Sequence, residues 1–121
     1  MSGNRFVADT NILIYILEGN KTVLPYVDEA FYVSIITEIE LLGMKGISAY
    51  EISKTKQLLK SCRIIGLTAE IKEIAIMLKQ KQRIKTPDVL IAATALFLDL
   101  PLLTADAGFR NIKSIDLVLL S

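Results

Sequence analysis

Apolar residues along the chain fall into short continuous runs and longer runs spaced at three and four residues. The short runs are rich in β-branched and aromatic residues and predict strands, whereas the longer amphipathic runs predict helices between them. The predicted strands are residues 6–8, 31–33, 63–65, 102–103 and 114–117. The predicted helices are residues 10–17, 23–28, 37–44, 48–60, 69–82, 87–98 and 107–111.

Strands and helices therefore alternate along the chain, and the strands are continuously apolar. This pattern indicates a parallel sheet of about five strands that helices cover on both faces. A sheet buried on both faces also explains the mean hydropathy of +0.47. We predict an α/β protein with a three-layer α/β/α architecture, formed by one domain over residues 1–121 because no linker or repeat divides the chain.

The length and composition fit a single folded domain of 121 residues, of which 52% are hydrophobic and 22% charged. The longest nearly apolar run, residues 89–98, is well short of the ~20 residues that cross a membrane. Polar residues interrupt the first apolar segment, so it does not resemble a secretory leader. Cys62 is the only cysteine, which excludes an internal disulfide. We expect a cytoplasmic protein without membrane contact.

Missing residue types exclude several classes of active site. The chain has no histidine and one cysteine, so Ser-His-Asp and Cys-His nucleophilic sites and Cys/His zinc sites are impossible. Histidine-driven RNA cleavage is excluded for the same reason. The six glycines form neither of the two common phosphate-binding loops. Any catalysis must therefore depend on carboxylates, hydroxyls and amines.

Four acidic residues stand at the beginnings of predicted helices. Asp9 and Asp106 follow the first and fourth strands, and Asp88 follows Thr86-Pro87. Glu40 is three residues after Thr37, a spacing that predicts a capping box with Thr37 at the N-cap. Each acid alone is explained as well by helix capping as by chemistry.

The joint placement of the acids is more informative. In a parallel sheet the strand-to-helix turns share the carboxyl edge, so Asp9, Glu40 and Asp106 should meet there. Asp88 joins them if its helix points the same way. Clustered carboxylates repel one another unless a cation neutralises them, and oxygen ligands suit Mg²⁺ or Mn²⁺. Such an ion can activate water toward a phosphodiester without histidine.

Basic residues are concentrated in the middle of the chain. Residues 45–85 hold ten of the fourteen Lys and Arg but only three of the thirteen acidic residues. The segment KQKQRIK carries Lys79, Lys81, Arg83 and Lys85, which predict either a grip on RNA phosphates or a solvated helix face. The sequence leaves these two interpretations equally open.

Four segments of the chain carry the acids in order: FVADTNILIYIL, VSIITEIELLG, TPDVLIAATAL and LLTADAGF. These segments resemble the successive motifs of the PIN-domain ribonucleases, and most closely those of the VapC-type toxins of toxin–antitoxin pairs. The likeness extends over about residues 7–112. The resemblance implies a PIN fold with strand order 3-2-1-4-5. It also implies a Mg²⁺- or Mn²⁺-dependent endoribonuclease whose products end in 5′-phosphate and 3′-hydroxyl groups.

The resemblance also implies roles for individual residues. The four motif acids Asp9, Glu40, Asp88 and Asp106 would be catalytic, and Asp9, Asp88 and Asp106 would be metal ligands. Glu40 would bind the metal directly or through water, or it would position the attacking water. We choose Glu40 over Glu38 because of its spacing from Thr37. Two further motif residues, Asn11 and Thr104, would support the cluster by hydrogen bonding.

The same resemblance implies partners. These are an RNA substrate, for which transfer RNA is the default in the family, a second copy of the chain in a homodimer, and a cognate antitoxin that covers the acidic cleft. Two alternatives remain. A haloacid-dehalogenase-like phosphatase also places an aspartate after its first strand, but it needs a second acid where Asn11 stands. A noncatalytic PIN-like binding module is disfavoured because all four acids are present.

Overall fold

The computed structural model describes residues 4–120, which contain a five-stranded sheet. Every neighbouring pair of strands is parallel, and the strand order is β3-β2-β1-β4-β5. This confirms the predicted α/β class and strand order. The strands are β1 (Arg5–Ala8), β2 (Ala30–Ser34), β3 (Arg63–Ile65), β4 (Leu102–Thr104) and β5 (Leu117–Leu119).

Helices cover both faces of the sheet, which completes the predicted three layers. The α-helices are α1 (Thr10–Glu18), α2 (Ile35–Leu42), α3 (Ala49–Lys60), α4 (Ala69–Lys81) and α5 (Thr86–Leu98). Two 3-10 helices span Lys21–Tyr26 and Ala107–Asn111. Helices α1, α2 and α3 supply buried side chains to the core on one face, and α4 and α5 supply those on the other.

The central strand β1 shows how the two cores are separated. Val7 packs with the α4 and α5 side, whereas its neighbours Phe6 and Ala8 pack with the α1 side. Successive side chains of a strand point to opposite faces, so a continuously apolar strand serves both cores. All three side chains are buried. The chain leaves β1 at Asp9, on the carboxyl edge of the sheet.

Helix α2 begins earlier than the sequence predicts. Ser34, the last residue of β2, is the N-cap, and its hydroxyl accepts a hydrogen bond from the Ile36 N–H at 3.2 Å. Thr37 therefore lies within the first turns of α2 and is fully buried. The predicted Thr37–Glu40 capping box is wrong, because the chain passes directly from strand to helix and Ser34 caps it first.

Strand β5 and the segment after α1 also differ from the predicted elements. Strand β5 begins at Leu117 instead of residue 114, because Leu117 pairs with Leu102 while Ser114 stays exposed in a turn. The predicted helix at 23–28 is instead a 3-10 helix, and it begins two residues earlier, at Lys21. Pro25 lies inside this helix, where it removes one backbone donor.

None of the helices within residues 4–120 combines the length and the apolar character that a membrane crossing requires.

Candidate active site

Asp9 lies at the carboxyl end of β1 and is the N-cap of α1. Its Oδ1 accepts a hydrogen bond from the Ile12 N–H at 3.1 Å, and its Oδ2 accepts one from the Thr104 hydroxyl. Only 3% of the residue is exposed. Both carboxylate oxygens are thus held by the protein, and the direction of this side chain is fixed.

Thr104 ends the neighbouring strand β4 and connects two of the acids. Its Oγ1 donates to Asp9 and accepts a hydrogen bond from the Asp106 backbone N–H at 3.0 Å. Thr104 is fully buried, so its hydroxyl has no water to compete for these bonds. A single hydroxyl therefore fixes Asp9 relative to the turn that carries Asp106.

Asp106 caps the 3-10 helix that follows β4. Its Oδ1 accepts a hydrogen bond from the Gly108 N–H at 2.8 Å. A Cβ atom on Gly108 would lie 3.1 Å from that oxygen, closer than ordinary van der Waals contact. The glycine of the segment LLTADAGF therefore permits the close approach of the carboxylate to its own turn.

Asp88 lies in the first turn of α5, a helix that has no side-chain cap. The pKa of Asp88 is raised by burial and by the negative charges of Asp106 and Glu40, while Lys85 lowers it. These effects place Asp88 within electrostatic reach of two other acids from different segments. Helix α5 thus points its N-terminus toward the same edge, as the cluster requires.

Glu40 belongs to α2 and reaches α1. Its Oε1 accepts a hydrogen bond from the Thr10 hydroxyl at 2.7 Å, and its charge acts on Asp88. Within the described residues, Glu38 makes no such bond to α1. Glu40 is thus the acid of α2 that joins the cluster. It does so through its bond to Thr10 and its charge near Asp88, and not because Thr37 caps the helix.

The pKa of Asp9 is also raised. Burial is the largest cause, and the charge of Asp106 adds to it, while bonds from Thr104 and from the Ile12 and Asn11 N–H groups oppose it. The electrostatic contacts therefore form a connected series, from Asp9 to Asp106 to Asp88 to Glu40. Residues from four distant segments are brought together at the carboxyl edge of the sheet.

The donor set has the chemistry of a site for a hard divalent cation. All candidate ligands are carboxylate oxygens, and the repulsion of Asp88 by Asp106 and Glu40 is what a cation would relieve. Across residues 4–120, no group of three or more acidic, histidine or cysteine side chains is placed so that it could hold a metal ion by itself. Mg²⁺ commonly takes one or two protein carboxylates and keeps several waters, so an open acidic edge fits it.

The supporting residues differ in how they contribute. Thr104 makes the predicted side-chain bonds, whereas the Asn11 side chain is exposed and only its backbone N–H acts on Asp9. Thr10 contacts Glu40 directly, a role that sequence reasoning missed. The available signal was a hydroxyl residue in the helix turn immediately after Asp9.

The basic segment 79–85 connects α4 to α5. Lys79 Nζ donates to the Ile84 carbonyl at 2.9 Å and to the Thr86 hydroxyl at 3.4 Å, so it holds this connection. Lys81, Arg83 and Lys85 are exposed. Lys85 also lies near enough to Asp88 to affect its pKa, which places the basic segment beside the acidic cluster.

Several solved structures share this fold. A toxin–antitoxin complex from Klebsiella pneumoniae is 30% identical over 93% of this chain and 95% of that one, with a TM-score of 0.79. VapBC-1 from nontypeable Haemophilus influenzae is 25% identical, covers 95% and 97% of the two chains, and has a TM-score of 0.78. VapBC2 from Rickettsia felis, bound to a promoter DNA fragment, shows the same fold at 21% identity, 97% and 99% coverage and a TM-score of 0.81.

No curated protein is similar enough in sequence to count as a match. The family model of the PIN domain matches residues 6–115, a span that contains all of β1 except Arg5, all four acids and the helices that carry them. This match agrees with the four sequence motifs and with the strand order. The chain therefore belongs to the PIN domain family.

Proposed function

We propose that the protein is a metal-dependent endoribonuclease that hydrolyses RNA phosphodiester bonds at the acidic cluster. The observation that carries this proposal is the electrostatic series from Asp9 through Asp106 and Asp88 to Glu40. Unneutralised carboxylates at one edge destabilise a protein unless they bind a cation. Membership of the PIN domain family supports a nuclease, and the acids supply the groups that it needs.

In this proposal Asp9, Asp88 and Asp106 would hold Mg²⁺ or Mn²⁺. The ion would supply positive charge that lowers the pKa of water and stabilises the leaving oxygen. Thr104 keeps Asp9 in one orientation through its hydrogen bond. Glu40, an exposed acid on α2, would orient the attacking water. Attack of water at phosphorus would break the bond to the 3′-oxygen, which leaves and takes up a proton, so the products would have 5′-phosphate and 3′-hydroxyl ends.

We further propose that the protein is the toxin of a toxin–antitoxin pair. The similar structure from Klebsiella pneumoniae is a toxin–antitoxin complex, and the one from Haemophilus influenzae is VapBC-1, of the VapBC family of toxin–antitoxin systems. A groove of about 580 Å³ between α1, α2 and α3 supports a partner site, because Ile14, Leu17, Leu41 and Met44 line it. An amphipathic helix from an antitoxin could bury its apolar face there. A homodimer and a transfer RNA substrate remain part of the proposal.

Two other functions predict different behaviour. A haloacid-dehalogenase-like phosphatase needs a second acid at position 11, but Asn11 is neutral and exposed. Hydrolysis of a small phosphate ester without RNA cleavage would favour that function. A noncatalytic binding module would show no response of its thermal stability to millimolar Mg²⁺ or Mn²⁺, because a ligand that binds only the native state must stabilise it.

The purified protein tests the proposal directly. We expect RNA cleavage with Mg²⁺ or Mn²⁺ and none with a chelator, and sequencing of fragment 5′ ends would identify the target. D9N should abolish cleavage while the protein stays folded. D28N is the matched control, because Asp28 is exposed and precedes β2 at the amino edge of the sheet, opposite the acids, so it should cleave like the wild type. Equal cleavage by D9N and the wild type would refute the assigned site.

A further inference from the structure

The Thr10 hydroxyl lies between two residues of the neighbouring helix α2. Thr10 Oγ1 is 2.7 Å from Glu40 Oε1 and 3.2 Å from Thr37 Oγ1. A hydroxyl has one hydrogen, and an ionised carboxylate only accepts. Thr10 therefore donates to Glu40, and Thr37 supplies the hydrogen of the second bond. The three side chains form a directed series from Thr37 through Thr10 to Glu40.

The two ends of this series have opposite environments. Thr37 has 0% exposure and lies in the first turn of α2, so the position of its hydroxyl is fixed by the surrounding core. Glu40 is exposed, and a glutamate in water samples many rotamers unless a partner holds it. Among the described residues, Thr10 is the group that holds the Glu40 carboxylate.

Thr10 also directly follows Asp9, the N-cap of α1. The Asp9 carboxylate is fixed by Thr104 on β4, and Thr104 also holds the Asp106 backbone. The helix start at residues 9 and 10 thus contacts both parts of the acidic cluster. One part contains Asp9 and Asp106, and the other contains Glu40 beside Asp88.

We propose that Thr10 is a positioning residue that holds Glu40 toward the reacting phosphate and its attacking water. This inference rests on the proposed nuclease function. Thr10 itself acts through Glu40 and does not contact the substrate. Its loss should therefore slow the chemical step and leave RNA binding nearly unchanged.

Variants T10V and T10S test this role, with T22V as the control. Valine keeps the shape of threonine but lacks the hydroxyl, and serine keeps the hydroxyl. Loss of a residue that orients a site group typically costs about 10- to 100-fold in activity. We expect T10V to lower kcat by about 10- to 100-fold with little change in KM, and T10S to recover most of it. Among the described residues, the Thr22 side chain bonds only to Asn20, beyond the far end of α1, so T22V should match the wild type.

A double variant separates positioning from general damage. If Thr10 acts through Glu40, T10V/E40Q should be no slower than E40Q alone, whereas independent roles would multiply the two losses. A crystal structure of T10V should show Glu40 turned away from α1, and one of T10S should show it in place. If T10V does not fold, T10A replaces it in each measurement.

The outcomes distinguish this inference from the function on which it rests. If the wild type cleaves RNA with metal and T10V has the same kcat, only the role of Thr10 is overturned. Multiplying losses in T10V/E40Q overturn it as well. If the wild type shows no metal-dependent cleavage, the proposed function fails and the Thr10 role fails with it.

Discussion

The Thr104 hydroxyl donates to Asp9 Oδ2, although the two residues are 95 positions apart in the chain. They meet because β4 is the parallel neighbour of β1, and each residue lies at or just after the carboxyl end of its strand. The bond is buried and one partner is a carboxylate. It therefore contributes both to stability and to the direction of the most buried acid.

We predict that T104V destabilises the protein by about 1.5–3 kcal/mol, the usual contribution of a hydrogen bond to a charged group. Valine keeps the shape of the side chain, but it leaves Asp9 Oδ2 buried without its donor and removes the acceptor of the Asp106 N–H. Urea unfolding at pH 7 measures the change.

The control for T104V is T94V. Thr94 is also buried, but its hydroxyl donates to the Leu90 carbonyl of its own helix, a bond that adds little to helix stability. T94V should therefore change the free energy of unfolding much less than T104V. When Asp9 is already replaced in D9N, T104V should lower the free energy of unfolding by less than it does in the wild type. Equal costs for the two threonine variants would contradict the role given to Thr104.

The raised pKa of Asp9 gives a prediction for pH dependence. An acid whose pKa is higher in the folded state favours folding fully below its ordinary pKa of 3.8, and this contribution is lost as pH rises through the folded pKa. D9N removes the buried charge and keeps an oxygen for the Ile12 N–H. The stability of D9N relative to the wild type should therefore rise as pH increases above 3.8.

E51Q provides a control of opposite sign for this experiment. The backbone of Ser48 donates to Glu51 and lowers the pKa of that exposed carboxyl below 4.5. The ionised Glu51 carboxylate therefore stabilises the folded state above pH 4.5, and this stabilisation is lost as pH falls through its lowered pKa. E51Q should thus lose stability relative to the wild type as pH rises, while D9N gains it. A pH-independent difference between D9N and the wild type would contradict the burial argument.

The fold and the positions of the acids follow from rules that operate along the chain. A continuously apolar strand predicts a sheet buried on both faces, and the ends of parallel strands share one edge. Asp9 and Asp106 could be placed because each directly follows such a strand. These inferences need only the order of elements, which a sequence supplies well.

The contacts that the sequence does not predict depend on how one helix or strand packs against another. Ser34 and Thr37 are both good N-cap residues, and only the end of β2 decides that Ser34 takes the position. Thr10 reaches Glu40 because α1 and α2 pack side by side, which no spacing within one segment reveals. The sequence does not distinguish Lys79 from its basic neighbours, because its carbonyl partner at Ile84 has no sequence signal.

Divalent metal should raise the free energy of unfolding of the wild type. In D88N the same metal should have no such effect. A ligand that binds only the folded protein adds about 2.7 kcal/mol at one hundred times its Kd. We expect Mn²⁺ to raise Tm and a chelator to reverse the rise. D99N is the matched control, because Asp99 ends the same helix at its opposite end, in a left-handed conformation that asparagine also accepts. A response of D88N equal to that of D99N would contradict the proposed ligand.

The exposed cations of the α4–α5 connection should contribute to RNA affinity through phosphate contacts. Each contact to a single strand contributes about 0.7 to the slope of log K against log salt. In a D9N background, R83Q/K85Q should therefore reduce this slope by about 1.4. K21Q is the control, because Lys21 is exposed at the far end of α1. An unchanged slope in R83Q/K85Q would mean that Arg83 and Lys85 do not contact RNA phosphates and only form a solvated surface.

Lys79 should behave differently from its basic neighbours, because its ammonium group is used within the protein. K79M removes the bonds to the Ile84 carbonyl and the Thr86 hydroxyl, which join the end of α4 to the start of α5. We expect the free energy of unfolding to fall by about 0.5–1.5 kcal/mol, with the salt slope of RNA binding unchanged. K81M is the control, since Lys81 is exposed near the same helix end and should leave the free energy of unfolding unaltered. If K79M instead reduces the salt slope and leaves stability intact, Lys79 contacts RNA and does not hold the connection.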